Sequence, residues 1–174
     1  GRAVFGLTSP LIENNSVIDN VSYTNGCGIG GEVFGSPVII GNTIRNNLMT
    51  EEGDGGGIWL HSAYAGTIVR GNYIEGNIAR DKGGGLMLLA QSGASQIEVS
   101  DNVIVNNLAQ GQLFDGRRGW GLGGGMWVSG SSYHVFNNTI VNNQGADIEL
   151  GLGGAILVSN SCDQSIIERN IIAF

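Results

Sequence analysis

Residues 114–120 combine chemical groups that occur together nowhere else in the chain. They hold a carboxylate at Asp115, two adjacent guanidinium groups at Arg117 and Arg118, and an indole at Trp120. Guanidinium groups bind carboxylates through paired hydrogen bonds, and an indole offers a flat apolar face with one polar edge. This mixture favours a contact surface for another molecule. The alternative is an ordinary surface loop packed against its own domain.

Two further aspartates, Asp54 and Asp81, each lie in a polar stretch just before a glycine cluster. Carboxylate oxygens are ligands that calcium prefers, so Asp54 with Asp81 could bind a calcium ion. We expect no other cofactor, because none of the acidic residues belongs to a recognisable catalytic motif. The two cysteines do not form a metal-binding set either.

The composition excludes several functional classes. The 174 residues include 31 glycines, are 41% apolar and 13% charged, and carry a net charge of −7. Disordered tails combine low hydrophobicity with high charge, and collagen needs glycine at every third residue, so neither class fits. The excess of acidic over basic residues leaves little positive charge to bind the phosphates of a nucleic acid, so we expect no nucleic-acid partner. No apolar run approaches the roughly 20 residues that cross a bilayer, so we predict no membrane span.

One repeat organises the whole chain. Each copy has a glycine cluster followed by an apolar run, as in residues 55–60 and 83–88, and then the pattern aliphatic-x-x-Asn-x-aliphatic-x-x-Asn. A period of 27 to 36 residues separates successive copies of its first asparagine, which are Asn15, Asn42, Asn72, Asn102, Asn138 and Asn170. Self-similarity at such a period is the signature of a stacked repeat protein.

The segments within each copy predict strands. Their apolar residues alternate with a period of two over short runs and show no helical stripe. Glycine and asparagine tolerate positive φ and therefore mark the corners between strands. Stacked asparagine side chains can also hydrogen-bond from coil to coil. We predict an all-β parallel β-helix of about five to six coils, with three short strands per coil and Asn/Gly ladders at its corners.

The same alternation assigns side chains to faces. It places Trp59, Met87 and Trp127 in one outward column on the strand that follows the glycine cluster. Large apolar side chains on a solvent-facing column suit the faces of sugars or another protein. Alternatively, a loop, a missing part of the chain or another subunit covers the column. The predicted binding residues are Trp59, Met87, Trp127, Trp120, Arg117 and Arg118.

The repeats resemble those of right-handed parallel β-helix proteins of the pectin-lyase-like superfold, over essentially the whole chain. The Gly-Gly-Ala-Ile-Leu-Val run at 153–158, followed by aliphatic-x-x-Asn, is also similar to repeats of chlamydial polymorphic outer-membrane proteins and related bacterial surface proteins. Those repeats usually carry Phe where this chain has Ile or Val. The resemblance implies a right-handed coil and an extracellular or cell-surface location. Because neither end of the sequence contains a candidate cap, we expect residues 1–174 to be a single β-helix segment of a longer chain or assembly.

The resemblance also implies where an active site would lie. Pectin-lyase-like enzymes carry theirs on the outer face of one sheet, beside the corner loops. By that resemblance Asp54, Asp81 and Asp115 could supply paired carboxylates, with Arg117 or Arg118 holding a uronate. The same fold carries enzymes, adhesins and spikes, so the fold alone does not decide between them.

Three functional hypotheses follow. The first is a structural, adhesive or glycan-binding scaffold whose partner is a polysaccharide or another surface protein. The alternative is a polysaccharide-processing enzyme: a lyase, a glycoside hydrolase or an epimerase. The third is a fibre subunit that self-associates end to end, because neither end of the sequence contains a candidate cap for the open coil.

Overall fold

The computed structural model describes residues 9–91, 96–111, 119–145, 153–159 and 162–174. Within these ranges the chain forms 22 short β-strands and no helix. Strands pair in parallel with their equivalents one repeat earlier and one repeat later, with the end strands of each sheet paired on one side, and no strand pairs with its neighbour in sequence. The chain therefore coils, and the sheets run along the coil axis.

Two sheets have six strands each. Sheet 1 stacks β1 (Leu11–Glu13), β5 (Val38–Ile40), β9 (Ile68–Arg70), β13 (Ile97–Ser100), β17 (Tyr133–Phe136) and β21 (Ile166–Glu168). Sheet 2 stacks β2 (Ser16–Ile18), β6 (Thr43–Arg45), β10 (Tyr73–Glu75), β14 (Val103–Val105), β18 (Thr139–Val141) and β22 (Ile171–Ala173).

The other two sheets have five strands each. Sheet 3 stacks β3 (Val21–Ser22), β7 (Leu48–Met49), β11 (Ile78–Ala79), β15 (Leu108–Ala109) and β19 (Gln144–Gly145). Sheet 4 stacks β4 (Ile29–Glu32), β8 (Ile58–Ala63), β12 (Leu86–Ala90), β16 (Met126–Ser129) and β20 (Ile156–Val158).

The all-β parallel helix is confirmed, but each coil has four strands rather than the predicted three. The additional strands are the two-residue strands of sheet 3, which directly follow the second asparagine of the repeat. A two-residue strand is too short to show an alternation of its own, so its hydrophobic pattern merges with that of the preceding corner.

The core is a narrow apolar bore. One regular column of the bore is formed by the residue that lies two positions after the first asparagine of each repeat. In this column Ile44, Ile74, Ile104 and Ile140 pair in register and have no exposed surface. The inward residues of sheets 1 and 4 complete the same cluster. Because each coil covers the apolar face of the next, burial accumulates along the stack rather than around one centre.

The corner asparagines form continuous hydrogen-bonded ladders. Asn72 Oδ1 accepts from the backbone N–H of Asn42 (2.9 Å) and from its Nδ2 (3.0 Å). Asn72 Nδ2 in turn donates to Asn102 Oδ1 (3.0 Å) and to the carbonyl of Ile39 (2.9 Å). A second ladder runs through Asn20, Asn47, Asn77, Asn107 and Asn143.

The ladder asparagines are not the residues with positive φ, which corrects the sequence-based account of the corners. The left-handed residue precedes each member of the first ladder; these residues are Asn14, Gly41, Gly71, Asp101, Asn137 and Arg169, with φ between 53° and 64°. The ladder position therefore requires asparagine for its amide, whereas the preceding position requires a residue that tolerates the left-handed turn.

The glycine clusters allow backbone to approach backbone. A Cβ on Gly57 would lie 2.5 Å from the carbonyl oxygen of Gly85 and 3.1 Å from Asn77 Nδ2. Gly28, Gly85 and Gly125 meet the next coil and the second ladder in the same way. The glycine-led segment thus packs directly on the asparagine ladder, where a side chain would not fit.

Candidate functional site

The outward column of Trp59, Met87 and Trp127 is buried, which contradicts its predicted exposure. Their exposed fractions are 6%, 3% and 8%. The register is as predicted, since Met87 pairs with both tryptophans, and the column forms a second apolar cluster outside the bore. The large apolar residues are explained as a covered flank of the coil, not as a surface ladder for sugars.

Leu122 packs against this column from the corner before β16, and Leu89 and Leu157 lie at its margin. Left-handed glycines approach it from the other side: a Cβ on Gly55 would lie 2.5 Å from the Cβ of Trp59. The indole Nε1 of Trp127 is buried and has no hydrogen-bond partner among the described residues. Leu122 lies at the register position of Lys82, with which it forms a parallel bridge, but strand alternation does not show that a residue at this corner covers the column.

The predicted acids Asp54 and Asp81 do lie together, at the corner between sheets 3 and 4. Lys82 lies between them: its ammonium forms an ion pair with Asp81 Oδ2 and lies 3.7 Å from Asp54 Oδ1. The backbone N–H of Lys82 also donates to Asp54 Oδ1 at 3.0 Å, and the N–H of Asp54 donates to Asn25 Oδ1 at 2.8 Å. Successive coils thus contribute Asn25, Asp54 and Lys82 to one polar column.

Burial and charge act in opposite directions on this group of residues. Burial raises the pKa of the Asp54 carboxyl above its ordinary value. The Lys82 ammonium lowers this pKa in part, and the Asp81 carboxylate raises it further. Burial tends to lower the pKa of Lys82, but attraction to Asp54 and Asp81 outweighs it, so the pKa of Lys82 is raised. Lys82 therefore stays charged, and its ammonium lies 6.0 Å from the centre of the Trp127 ring.

A cleft of about 410 Å³ opens at this corner, and its lining is polar. The residues that line it are Thr24, Asn25, Glu52, Gly53, Asp54 and Asp81. The backbone N–H of Trp120 donates to Asp81 Oδ1 at 2.6 Å, and the Trp120 residue is 56% exposed. The backbone of the exposed residue Trp120 is thus bonded to one of the three acids of the cleft.

Sequence reasoning missed Lys82 as the residue that joins the two acids, and it missed Thr24, Asn25 and Glu52 as cleft residues. The signal that could have found them is register. Asn25, Asp54 and Lys82 fall at equivalent places before successive glycine clusters, and parallel coils stack equivalent places.

The remaining predicted site residues have different outcomes. Asp115, Arg117 and Arg118 lie outside the described residues, and their roles stay predictions. In the part of the chain that the structure describes, no group of three or more His, Cys, Asp or Glu side chains could hold a metal ion. Calcium at Asp54 and Asp81 stays a prediction, and it would have to displace the Lys82 ammonium from between the carboxylates.

The described ranges contain no helix with the length and hydropathy needed to cross a membrane.

The parallel coils, four sheets and asparagine ladders define the chain as a parallel β-helix. A model of the right-handed β-helix region family matches residues 3–172, and the chain belongs to that family. Comparison with curated proteins gives no match, and neither does comparison with solved structures. The resemblance to pectin-lyase-like proteins therefore holds at the level of the right-handed β-helix.

Proposed function

We propose that this β-helix is a glycan-binding scaffold of the extracellular space or cell surface, and that it contacts polysaccharide at the polar cleft beside Trp120. The observation that carries the proposal is the 2.6 Å hydrogen bond from the Trp120 backbone N–H to Asp81, which holds the backbone of an exposed tryptophan beside an acid of the cleft. Aromatic faces contact the apolar faces of sugar rings, while carboxylate, amide and hydroxyl groups accept and donate hydrogen bonds to their hydroxyls.

The charge balance of the cleft indicates which glycans suit it. Glu52, Asp54 and Asp81 bring three carboxyl groups, and Lys82 brings one ammonium that already pairs with two of them. A polyuronate would meet like charge here, so neutral polysaccharides are the better partners. The rigid β-helix provides the pre-formed surface that such binding needs.

The test is binding of purified protein to a panel of neutral and acidic polysaccharides, comparing wild type with Trp120→Ala. Loss of an exposed aromatic contact of about 0.5–1.5 kcal/mol should weaken binding by about 2- to 13-fold. The matched control is Tyr73→Ala, which removes an aromatic residue of 38% exposure from sheet 2, away from the cleft. The proposal is wrong if no glycan binds or if the two variants bind equally well.

A second candidate, polysaccharide processing, is supported by the environment of Asp54. Its raised pKa is a property of general acids, and a second carboxylate lies close by. Both reach one ammonium nitrogen, so the oxygens Asp54 Oδ1 and Asp81 Oδ2 are no more than about 6 Å apart, nearer the spacing of retaining than of inverting glycosidases. The Lys82 ammonium counts against this candidate, because it favours two ionised carboxylates.

Digestion assays separate the two candidates. Neutral glycans and oligouronides are incubated with the protein, with and without calcium, and products are resolved by chromatography. Turnover that Asp54→Asn or Asp81→Asn abolishes would establish an enzyme. Binding without turnover by wild type would favour the scaffold.

A further inference from the structure

Strand β8 contains a β-bulge that no other described strand of sheet 4 shares. Leu89 of the next coil pairs with His61, and Ala90 pairs with Ala63, so Ser62 is the extra residue. Ser62 has φ 61°, a left-handed conformation that is strained for serine. Bulges of this kind redirect one side chain and are enriched near active sites.

The bulge changes which way Ser62 points. In a regular strand the alternation from Leu60 inward and His61 outward would place Ser62 in the bore. Instead Ala63 takes the inward place, with no exposed surface, and joins the core cluster. The Ser62 hydroxyl is thereby released from the core and lies 2.9 Å from His61 Nδ1.

His61 is held from two further directions. Glu32 pairs with His61 in register one coil earlier, and its Oε1 lies 3.6 Å from Nδ1. The Trp59 indole stacks on the imidazole with the ring centres 5.7 Å apart and the planes inclined by 26°. With the proton on Nε2, Nδ1 accepts the hydrogen bond from the Ser62 hydroxyl, and Glu32 lies where it stabilises the imidazolium once Nδ1 is protonated.

We propose that Ser62 and His61 form a nucleophile and base pair that hydrolyses small acyl esters. Ser62 Oγ attacks the ester carbonyl carbon while His61 Nδ1 takes the hydroxyl proton. The bond from the carbonyl carbon to the alkoxide oxygen then breaks, and the alkoxide leaves with that proton. Water adds to the acyl-serine with His61 as base, which releases the carboxylic acid and restores the serine.

Exposure around the pair defines the substrate class. Ser62 is only 7% exposed, so a bulky acyl group cannot reach its hydroxyl. The His61 and Glu32 side chains are 36% and 53% exposed and form the open side of the pair. The arrangement therefore suits acetyl-sized esters whose alcohol portion stays in solvent, such as an O-acetylated surface polymer.

This pair is separate from the polar cleft and does not depend on the proposed glycan-binding function. None of Glu32, His61 and Ser62 lines the cleft. Ser100 on sheet 1 provides a comparison for non-specific modification: its hydroxyl donates to Glu98 Oε1 at 2.6 Å, and the residue has no exposed surface. We therefore expect no label on Ser100.

The experiment is acetylation with p-nitrophenyl acetate, in which the serine oxygen displaces p-nitrophenolate from the acetyl carbon, followed by an acid quench and peptide mass spectrometry to locate the acetyl label. Hydrolysis of p-nitrophenyl acetate is measured on the same samples. We expect the label on Ser62. His61→Gln should lower kcat/KM by about 100-fold or more, the contribution of a general base. Glu32→Gln should retain labelling and lower kcat with KM unchanged, which a merely structural role would not do.

Ser62→Gly is the decisive variant, because glycine adopts the left-handed conformation without strain and the bulge is preserved. It should keep the circular dichroism spectrum and thermal midpoint of wild type while losing both label and hydrolysis. Ser100→Ala and Tyr73→Ala should retain both. Absence of label on Ser62, or hydrolysis that Ser62→Gly leaves unchanged, would overturn the proposal.

Discussion

Replacing Asn138 by alanine should cost this protein a large share of its stability, and its neighbour Asn137 supplies the control. Asn138 belongs to the first ladder and is 1% exposed. Its Nδ2 donates to the carbonyl oxygens of Val99 and Phe136, and its Oδ1 accepts from both the backbone N–H and Nδ2 of Asn102. Alanine makes none of these bonds.

The magnitude follows from the groups that lose a partner. The Asn102 backbone N–H has Asn138 Oδ1 as its acceptor, whereas Asn102 Nδ2 keeps a second acceptor in the carbonyl oxygen of Val69. An unpaired buried polar group costs about 1–3 kcal/mol, so two to three such groups give a loss of about 2–9 kcal/mol. Folded domains are stable by only about 5–15 kcal/mol, so the transition midpoint should fall clearly.

Asn137 precedes Asn138, is exposed and has φ 55°. Asn137→Gly retains the left-handed turn, and we expect the free energy of unfolding to change by less than about 1 kcal/mol. Urea unfolding of both variants is followed by circular dichroism, with the denaturant slope checked because repeat arrays can lose cooperativity. Equal midpoints for the two variants would refute the assignment of the ladder amide as the stabilising group.

Two further predictions concern the glycine clusters and the acidic corner. Gly57→Ala should destabilise by about 1–3 kcal/mol, because its Cβ would lie 2.5 Å from a backbone oxygen of the next coil. Gly71→Asn should change stability by less than about 1 kcal/mol, since that corner has open space and asparagine tolerates its φ of 63°. Thermal midpoints are measured for the Gly57→Ala and Gly71→Asn variants. Equal losses of stability would contradict the packing argument. The raised pKa of Asp54 means that its contribution to stability is fully present below pH 3.8 and is lost as the pH rises through its folded-state pKa. Asp54→Asn should remove this component from the pH dependence of the unfolding free energy, whereas parallel curves for wild type and variant would show that Asp54 titrates normally.

The sequence predicts those features that recur in every coil. Six copies of the first asparagine fix the register, and alternation around them correctly assigns Ile44 and Ile74 to the bore. It also places Trp59 and Trp127 in one outward column, although it cannot show that the column is covered. Cover depends on the side chain at the corner position before each glycine cluster, and the residue type there differs between Asp54, Lys82 and Leu122. The two-residue strands of sheet 3 escape prediction for the related reason that alternation needs more residues than they have.

The candidate sites lie where the chain departs from its repeat. Ladder amides and bore aliphatics are equivalent from coil to coil, so they account for the stack but do not distinguish one coil from another. Among the described residues, a lysine between two aspartates and an extra strand residue such as Ser62 each occur once, and both break the pattern around them. Most residues of this chain have types that suit their place in the fold, and a few do not. A residue that does not suit its place costs stability, and such residues are expected at functional sites. Ser62 is therefore a better candidate for a functional residue than the tryptophan column. Burial in a second apolar cluster explains the column fully. Packing alone gives no reason for a serine in the left-handed conformation that is bonded to a histidine.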